Sequence, residues 1–153
     1  ASVTLAAGEY VMKAGPLIVD GGARLTGSGA GVYLTGKNAV FKFAEDSSIS
    51  LTAPTGGPLA GMLFYEDRNA PLLQTHDKKS HNASVLLCSI YLLGVQLDVD
   101  ANKAIAQSSA FTIIVSRRMR LFGGPNLILN SNYDKTNVPV PGGLNPGHAF
   151  LSK

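Results

Sequence analysis

The sequence predicts an all-β chain, a right-handed parallel β-helix (β-solenoid) of short strands with irregular corner loops. Two observations carry this. Apolar residues fall in runs of about three to five, broken by corners drawn from seventeen glycines and eight prolines, and apolar spacing never settles into the helical period through the first half. The same kind of strand also recurs along the chain. Val32-Tyr33-Leu34, Met62-Leu63-Phe64, Ile90-Tyr91-Leu92 and Phe111-Thr112-Ile113 read as one strand in successive coils, each followed by a polar turn and a second apolar strand. Taking Leu34, Phe64, Leu92 and Ile113 as equivalent gives coils of about 30, 28 and 21 residues, a range that fits a solenoid with insertions at its corners. The right hand follows from the general preference of parallel β connections. A β-sandwich is the competing all-β architecture.

In chain order, Val3–Leu5 and Tyr10–Met12 are extended pieces around Gly8, and Leu17–Val19 alternates into the turn Asp20-Gly21-Gly22. Ala23–Thr26 resumes, Gly31–Gly36 (GVYLTG) is the next strand, and Val40, Phe41 and Phe43 follow. A polar turn at Glu45–Ser48 precedes Ile49–Thr52. Ala53–Ala60 is a Pro/Gly corner, and Arg68–Asn82 reads as a longer exposed loop. The segment Ala110–Asn130 reads as one complete turn of coil. It has a β-branched run at Phe111–Val115, a basic patch at Arg117, Arg118 and Arg120 with Met119 and Leu121 alternating, a break at Gly123-Gly124-Pro125, and a last run at Leu127–Leu129. Pro139, Pro141 and Pro146 exclude a central strand afterwards. The expected organisation is therefore solenoid coils over 1–130, with an irregular Pro/Gly-rich tail over 131–153 packing on or capping them.

Composition narrows the partners. Charged residues make up only 15% against 45% hydrophobic, and the net charge of +3 is not interleaved with aromatic residues. That argues against nucleic acid and leaves room for acidic polysaccharide or an anionic surface. The single cysteine, Cys88, excludes an internal disulfide and lies in an apolar run, where a buried, inert thiol is expected. Val85–Val99 is too short and too polar to span a bilayer, and the first ten residues do not read as an intact signal peptide.

The succession GVYLTG, LTAPTGGPLAGMLFYEDRN, SIYLLG and FTIIVSRRMRLFGGPNLILNSNYDKTNVPVPGGL resembles the C-terminal region of TadG-like proteins of the bacterial tight-adherence (Flp-type) pilus assembly systems. AGMLFYEDR at Ala60–Arg68 and NSNYDKTNVPVP at Asn130–Pro141 carry most of it, and the likeness extends over residues 8–144. The resemblance implies a non-catalytic structural or interaction domain at the periplasmic or extracellular face of the cell envelope. It further implies other pilus-assembly or envelope proteins as partners, no cofactor, and an N-terminal membrane anchor elsewhere in the full-length protein. It supplies no catalytic residues, and the Arg68–Asn82 loop matches no family pattern.

Three clusters carry candidate chemistry. Glu66, Asp67 and Arg68 form the densest charge cluster, at a strand end. A carboxylate pair beside an arginine suits binding of calcium and a uronate, while a solvated corner with a local ion pair is the plainer reading. His76, Asp77 and His81 have metal-ligating types, but their spacing fits no zinc pattern, so no metal site is expected. Along a strand, Arg118 and Arg120 point to one side and Arg117, Met119 and Leu121 to the other. The outward pair would dock an acidic partner or act only to keep a sheet face soluble. The chain contains no GxSxG elbow and no phosphate-binding glycine loop. The alternative function is therefore a carbohydrate-active β-helix, either a polysaccharide lyase or a glycan-binding adhesin module.

Overall fold

Short parallel strands, each paired with its counterpart one coil away, build the chain into an all-β solenoid of about five turns. The structure is a computed structural model that describes residues 1–72, 74–80, 82–100, 106–124 and 128–142. The first coil comprises β1 (Ser2–Leu5), β2 (Gly8–Lys13) and β3 (Leu17–Val19). The second comprises β4 (Arg24–Gly27), β5 (Ala30–Thr35) and β6 (Phe41–Phe43). The third comprises β7 (Ser48–Thr52), β8 (Met62–Glu66) and β9 (Thr75–Lys78). A single strand, β10 (Asn82–Asp100), then runs round all three sides, with its register shifting at the bends. The last strand, β11 (Thr112–Phe122), covers two sides of the fifth turn.

Three faces result. The first stacks β1, β4, β7 and the start of β10. The second stacks β2, β5, β8, the middle of β10 and the start of β11. The third stacks β3, β6, β9, the end of β10 and the end of β11. Because side chains alternate along a strand, every second residue of each coil points into the solenoid. Leu25, Ile49, Val32, Phe64, Ile90, Phe41, Phe43, Leu97 and Val99 fill the interior, all nearly inaccessible to solvent. Phe41 packs on Phe43 at 5.1 Å and on Phe64 at 4.6 Å between ring centres, an aromatic contact that spans two coils. Cys88 is among these buried residues, and burial pushes its thiol well above the ordinary range, as expected of an inert core cysteine.

Register corrects the repeat lengths expected from sequence. Val32 pairs with Phe64, Phe64 with Ile90 and Ile90 with Ile114, giving roughly 32, 26 and 24 residues per coil. Leu34 therefore pairs with Glu66 and not with Phe64. That slip is two residues and preserves the inward side, whereas Leu92 pairs with Ser116 and Ile113 with Ser89, a slip of three that puts Ile113 on the side opposite to Ile114. The Arg68–Asn82 segment is not one exposed loop either. It contains β9, whose His76 and Lys78 turn into the interior. Of the run expected at Leu127–Leu129, Leu127 lies outside the described residues, and Ile128 and Leu129 form no strand.

After Asn130 the chain folds back along the corner between the first two faces. Asn132 N–H donates to the Ala110 carbonyl at 2.9 Å, and the Tyr133 ring lies 5.3 Å from Phe111. Val138 is buried, and Pro139 and Pro141 rest on Gly61 of the third coil. Gly61 has φ of 76°, and a Cβ there would collide with the Pro139 carbonyl. Residues 143–153 lie outside the described residues.

Two predictions follow from this packing. Gly61→Ala combines a left-handed backbone with a collision against a carbonyl, so it should cost about 2 kcal/mol and expose the segment 131–142 to limited proteolysis. Equal stability and unchanged cleavage would show that the tail is not held at this point. The second concerns Lys78, whose ammonium points inward and donates to the Ser80 carbonyl, while burial pushes its pKa down to about 8. An unfolded lysine keeps its proton up to about 10.5, so stability is lowest below pH 8 and rises as pH climbs from there. Urea unfolding should show a gain of about 2–3 kcal/mol between pH 8 and about 10. Lys78→Met should remove that rise and lift stability at neutral pH.

Candidate binding faces

Stacking in register turns each outward position into a column running along the solenoid, and each face carries its own chemistry. On the first face Thr4, Thr26 and Ser50 lie in one column, and the hydroxyls of Thr4 and Thr26 are 3.0 Å apart. This is a hydroxyl strip, comparatively neutral and self-satisfied.

On the second face Tyr33, Tyr65 and Tyr91 occupy one column. Their rings stack at 5.8 Å and 5.3 Å between centres, the second pair parallel to within 5°. Ring faces are used up against one another, so the ladder offers its edges and a row of phenol hydroxyls. Asp67 and Arg68 follow directly after β8 and flank this row. Asp67 accepts hydrogen bonds from the Thr35 hydroxyl at 2.8 Å and the Asn69 backbone N–H at 2.9 Å. The Asn69 N–H, and then Thr35, hold its carboxyl below the usual range, an effect lost as the pH falls beneath the ordinary value of 3.8. Arg68 lies beside Tyr91 and Tyr65, which together raise its already high pKa. Partial burial and then the Asp67 charge raise that of Tyr33.

Glu66 does not join them. The expected trio Glu66-Asp67-Arg68 is split, because Glu66 is the last inward residue of β8 and is completely buried. One carboxylate oxygen accepts the Gly94 N–H at 2.9 Å, and the other faces His76 Nε2 at 3.5 Å. His76 Nδ1 accepts the Phe41 N–H at 3.1 Å, which places the ring proton on Nε2, toward Glu66. Neither Nε2 nor the facing oxygen has another partner. This is a sealed internal pair with no route to a ligand. His76 and Asp77 are neighbours on β9 but point to opposite sides, and His81 lies outside the described residues. Among the described residues no group of three metal-ligating side chains converges.

The third face is charged. Lys42, Asp77, Asp98 and Arg120 form one outward column over four successive strands. Arg120 makes a two-point contact with Asp98, through Nε at 3.2 Å and also through Nη2, and Gln96 Nε2 donates to the same carboxylate at 2.7 Å. Beside that column stand Thr75, Gln96 and Arg118, in register with one another. Arg118 and Arg120 thus both face outward, Arg120 neutralised by Asp98 and Arg118 with no carboxylate partner among the described residues. Met119 and Leu121 lie in register with the buried Leu97 and Val99, yet stay 39% and 44% exposed on this last strand.

The chain matches no protein-family model, no curated protein and no solved structure. The columns themselves are what sequence reasoning missed. Aligning Val32-Tyr33-Leu34, Phe64-Tyr65-Glu66 and Ile90-Tyr91-Leu92 would have exposed the tyrosine ladder, but a glutamate in an inward position disguised the match.

Removing Glu66 from the internal pair leaves the Gly94 N–H and His76 Nε2 without partners. Glu66→Leu should therefore lose about 3 kcal/mol in urea unfolding, and Glu66→Gln, which keeps the acceptor for Gly94, should lose about 1 kcal/mol. A neutral Glu66→Leu would mean that the pair contributes nothing to this coil.

Proposed function

We propose that this chain is a non-catalytic interaction domain of the bacterial cell envelope, part of a pilus-assembly protein of the TadG-like kind, working as a rigid post that partners grip from the side. The observation that carries the docking role is the Tyr33–Tyr65–Tyr91 ladder with Arg68 at its flank. Stacked tyrosines supply a large surface that loses little freedom on binding, and Tyr and Arg are the residue types that dominate protein contacts. The assignment to pilus assembly rests on the sequence motifs at Ala60–Arg68 and Asn130–Pro141. A binding role is favoured over catalysis by the state of the carboxylates. Glu66 is sealed inside, and Asp67 is committed to Thr35 and Asn69.

A glycan-binding module is the second reading, favoured by the charged third face. The lyase form of that reading draws no support from the Glu66-Asp67-Arg68 corner, where Glu66 is buried away from Asp67 and Arg68 and no carboxylate pair faces outward.

A photo-reactive phenylalanine analogue placed in turn at Tyr33, Tyr65 and Tyr91 tests the docking role in the bacterium of origin. The expected result is a crosslink to a pilus-assembly protein from at least one tyrosine position and none from Thr26 on the hydroxyl strip. Crosslinks from Thr26 alone, or to no envelope protein, would overturn the assignment. Tyr65→Ser combined with Tyr91→Ser should weaken the same association about tenfold or more, because it removes two stacked anchors.

A further inference from the structure

The third face holds a groove that the tyrosine reading does not use. A hollow of about 150 Å³ lies between Gln74, Thr75, Gln96, Arg117 and Arg118, with Gly94 and Val95 at its back. Gln74 and Thr75 also line an adjoining hollow of about 490 Å³, which extends past Asn38 and Lys42. Together they form one groove crossing successive coils. Lys42 and Arg118 stand three strand spacings apart, about 14 Å along the axis.

The charges in this groove are lopsided. Arg117 and Arg118 have no carboxylate partner and no ion pair among the described residues. Arg120 and Asp98 cancel one another. Among the described residues Asp77 alone remains as an acid within the groove, against Arg117, Arg118 and Lys42. Two free guanidinium groups at one end and an ammonium at the other are spaced for anionic groups that recur along a chain. Between them the Thr75 hydroxyl and the Gln96 amide oxygen can meet the hydroxyls of a sugar, while the Gln74 amide is held by the Asn38 N–H and the Pro71 carbonyl and the Gln96 Nε2 by Asp98. Among the described residues no aromatic ring lines either hollow, so they offer no platform on which a nucleobase would stack.

We propose that this groove binds a linear acidic glycan lengthwise, its anionic substituents meeting Arg117 and Arg118 at one end and Lys42 at the other. The anion is a carboxylate or a sulfate ester on a sugar ring, and binding is independent of the tyrosine ladder.

The test is titration calorimetry of the chain with a hexa-uronate, a sulfated hexasaccharide and a neutral hexasaccharide. Saturable binding of one or both acidic oligomers, weakening as salt is added, and none of the neutral one, is expected. The uronate and sulfate arms tell the two anion types apart. Arg117→Gln with Arg118→Gln should weaken binding about tenfold or more, and Lys42→Gln about threefold. Asp77→Asn should tighten it about threefold by removing the one repulsive charge, a gain that damage to the fold would not produce. Tyr65→Ser should leave it unchanged, so loss of the tyrosine docking role and loss of this site are separable. Amide shifts on the unaltered chain should map to Thr75, Gln96 and Arg118 and spare Thr26. No saturable binding, equal binding of the neutral sugar, equal affinity for single-stranded DNA, indifference to the arginine substitutions, or a uronate monomer matching the hexamer would each overturn the proposal.

Discussion

Everything in this molecule depends on backbone hydrogen bonds that run from coil to coil in fixed register. A parallel ladder pairs residue with residue at the spacing of neighbouring strands, so a position once inward is inward in every coil unless a bend resets it. The core follows from this, because Val32, Phe64, Ile90 and Ile114 must stack as a column. The outer faces follow by the same rule. The tyrosine and charged columns are the outward half of the alternation that builds the core.

The third coil departs most from this scheme. Its internal corner segments are longer than those of the two coils before it, and its interior holds Glu66, His76 and Lys78 where those coils place leucine, valine or phenylalanine. Each charge or polar ring is answered locally. Gly94 and His76 answer Glu66, Phe41 answers His76, and the Ser80 carbonyl answers Lys78. Such groups do little for stability compared with hydrocarbon, but they penalise any shift of coil register, since a slip of two residues would strand a carboxylate among aromatic rings. The sealed pair thus favours the observed register of the third coil over one shifted by two residues.

Much of the fold was legible in the sequence because strand alternation and Gly/Pro corners are local properties. Leu17–Val19, Gly31–Gly36 and Ile49–Thr52 could be placed from their own residues and neighbours. Register is a property of two segments many residues apart, and here the insertions vary in length, so equivalence had to be inferred from residue type alone. Leu34 and Phe64 are both apolar, so residue type equates them and conceals both the tyrosine ladder and the inward Glu66. The outward columns were less legible for the same reason. Alternation alone puts Arg118 and Arg120 on one side of their strand, but Asp98, which neutralises one of them, and Thr75 and Gln96, which flank the other, lie on different coils.

The separation of the three faces also bears on how such a chain can change over evolutionary time. A substitution at one outward position alters one column of one face and leaves the core and the other two faces untouched. A hydroxyl strip, an aromatic strip and a charged strip can each drift, or be selected, on its own. Corner insertions add material between faces without disturbing the ladders on either side. The solenoid is in this sense three addressable surfaces on one scaffold, and new specificity on one of them does not have to be reconciled with what the others already hold.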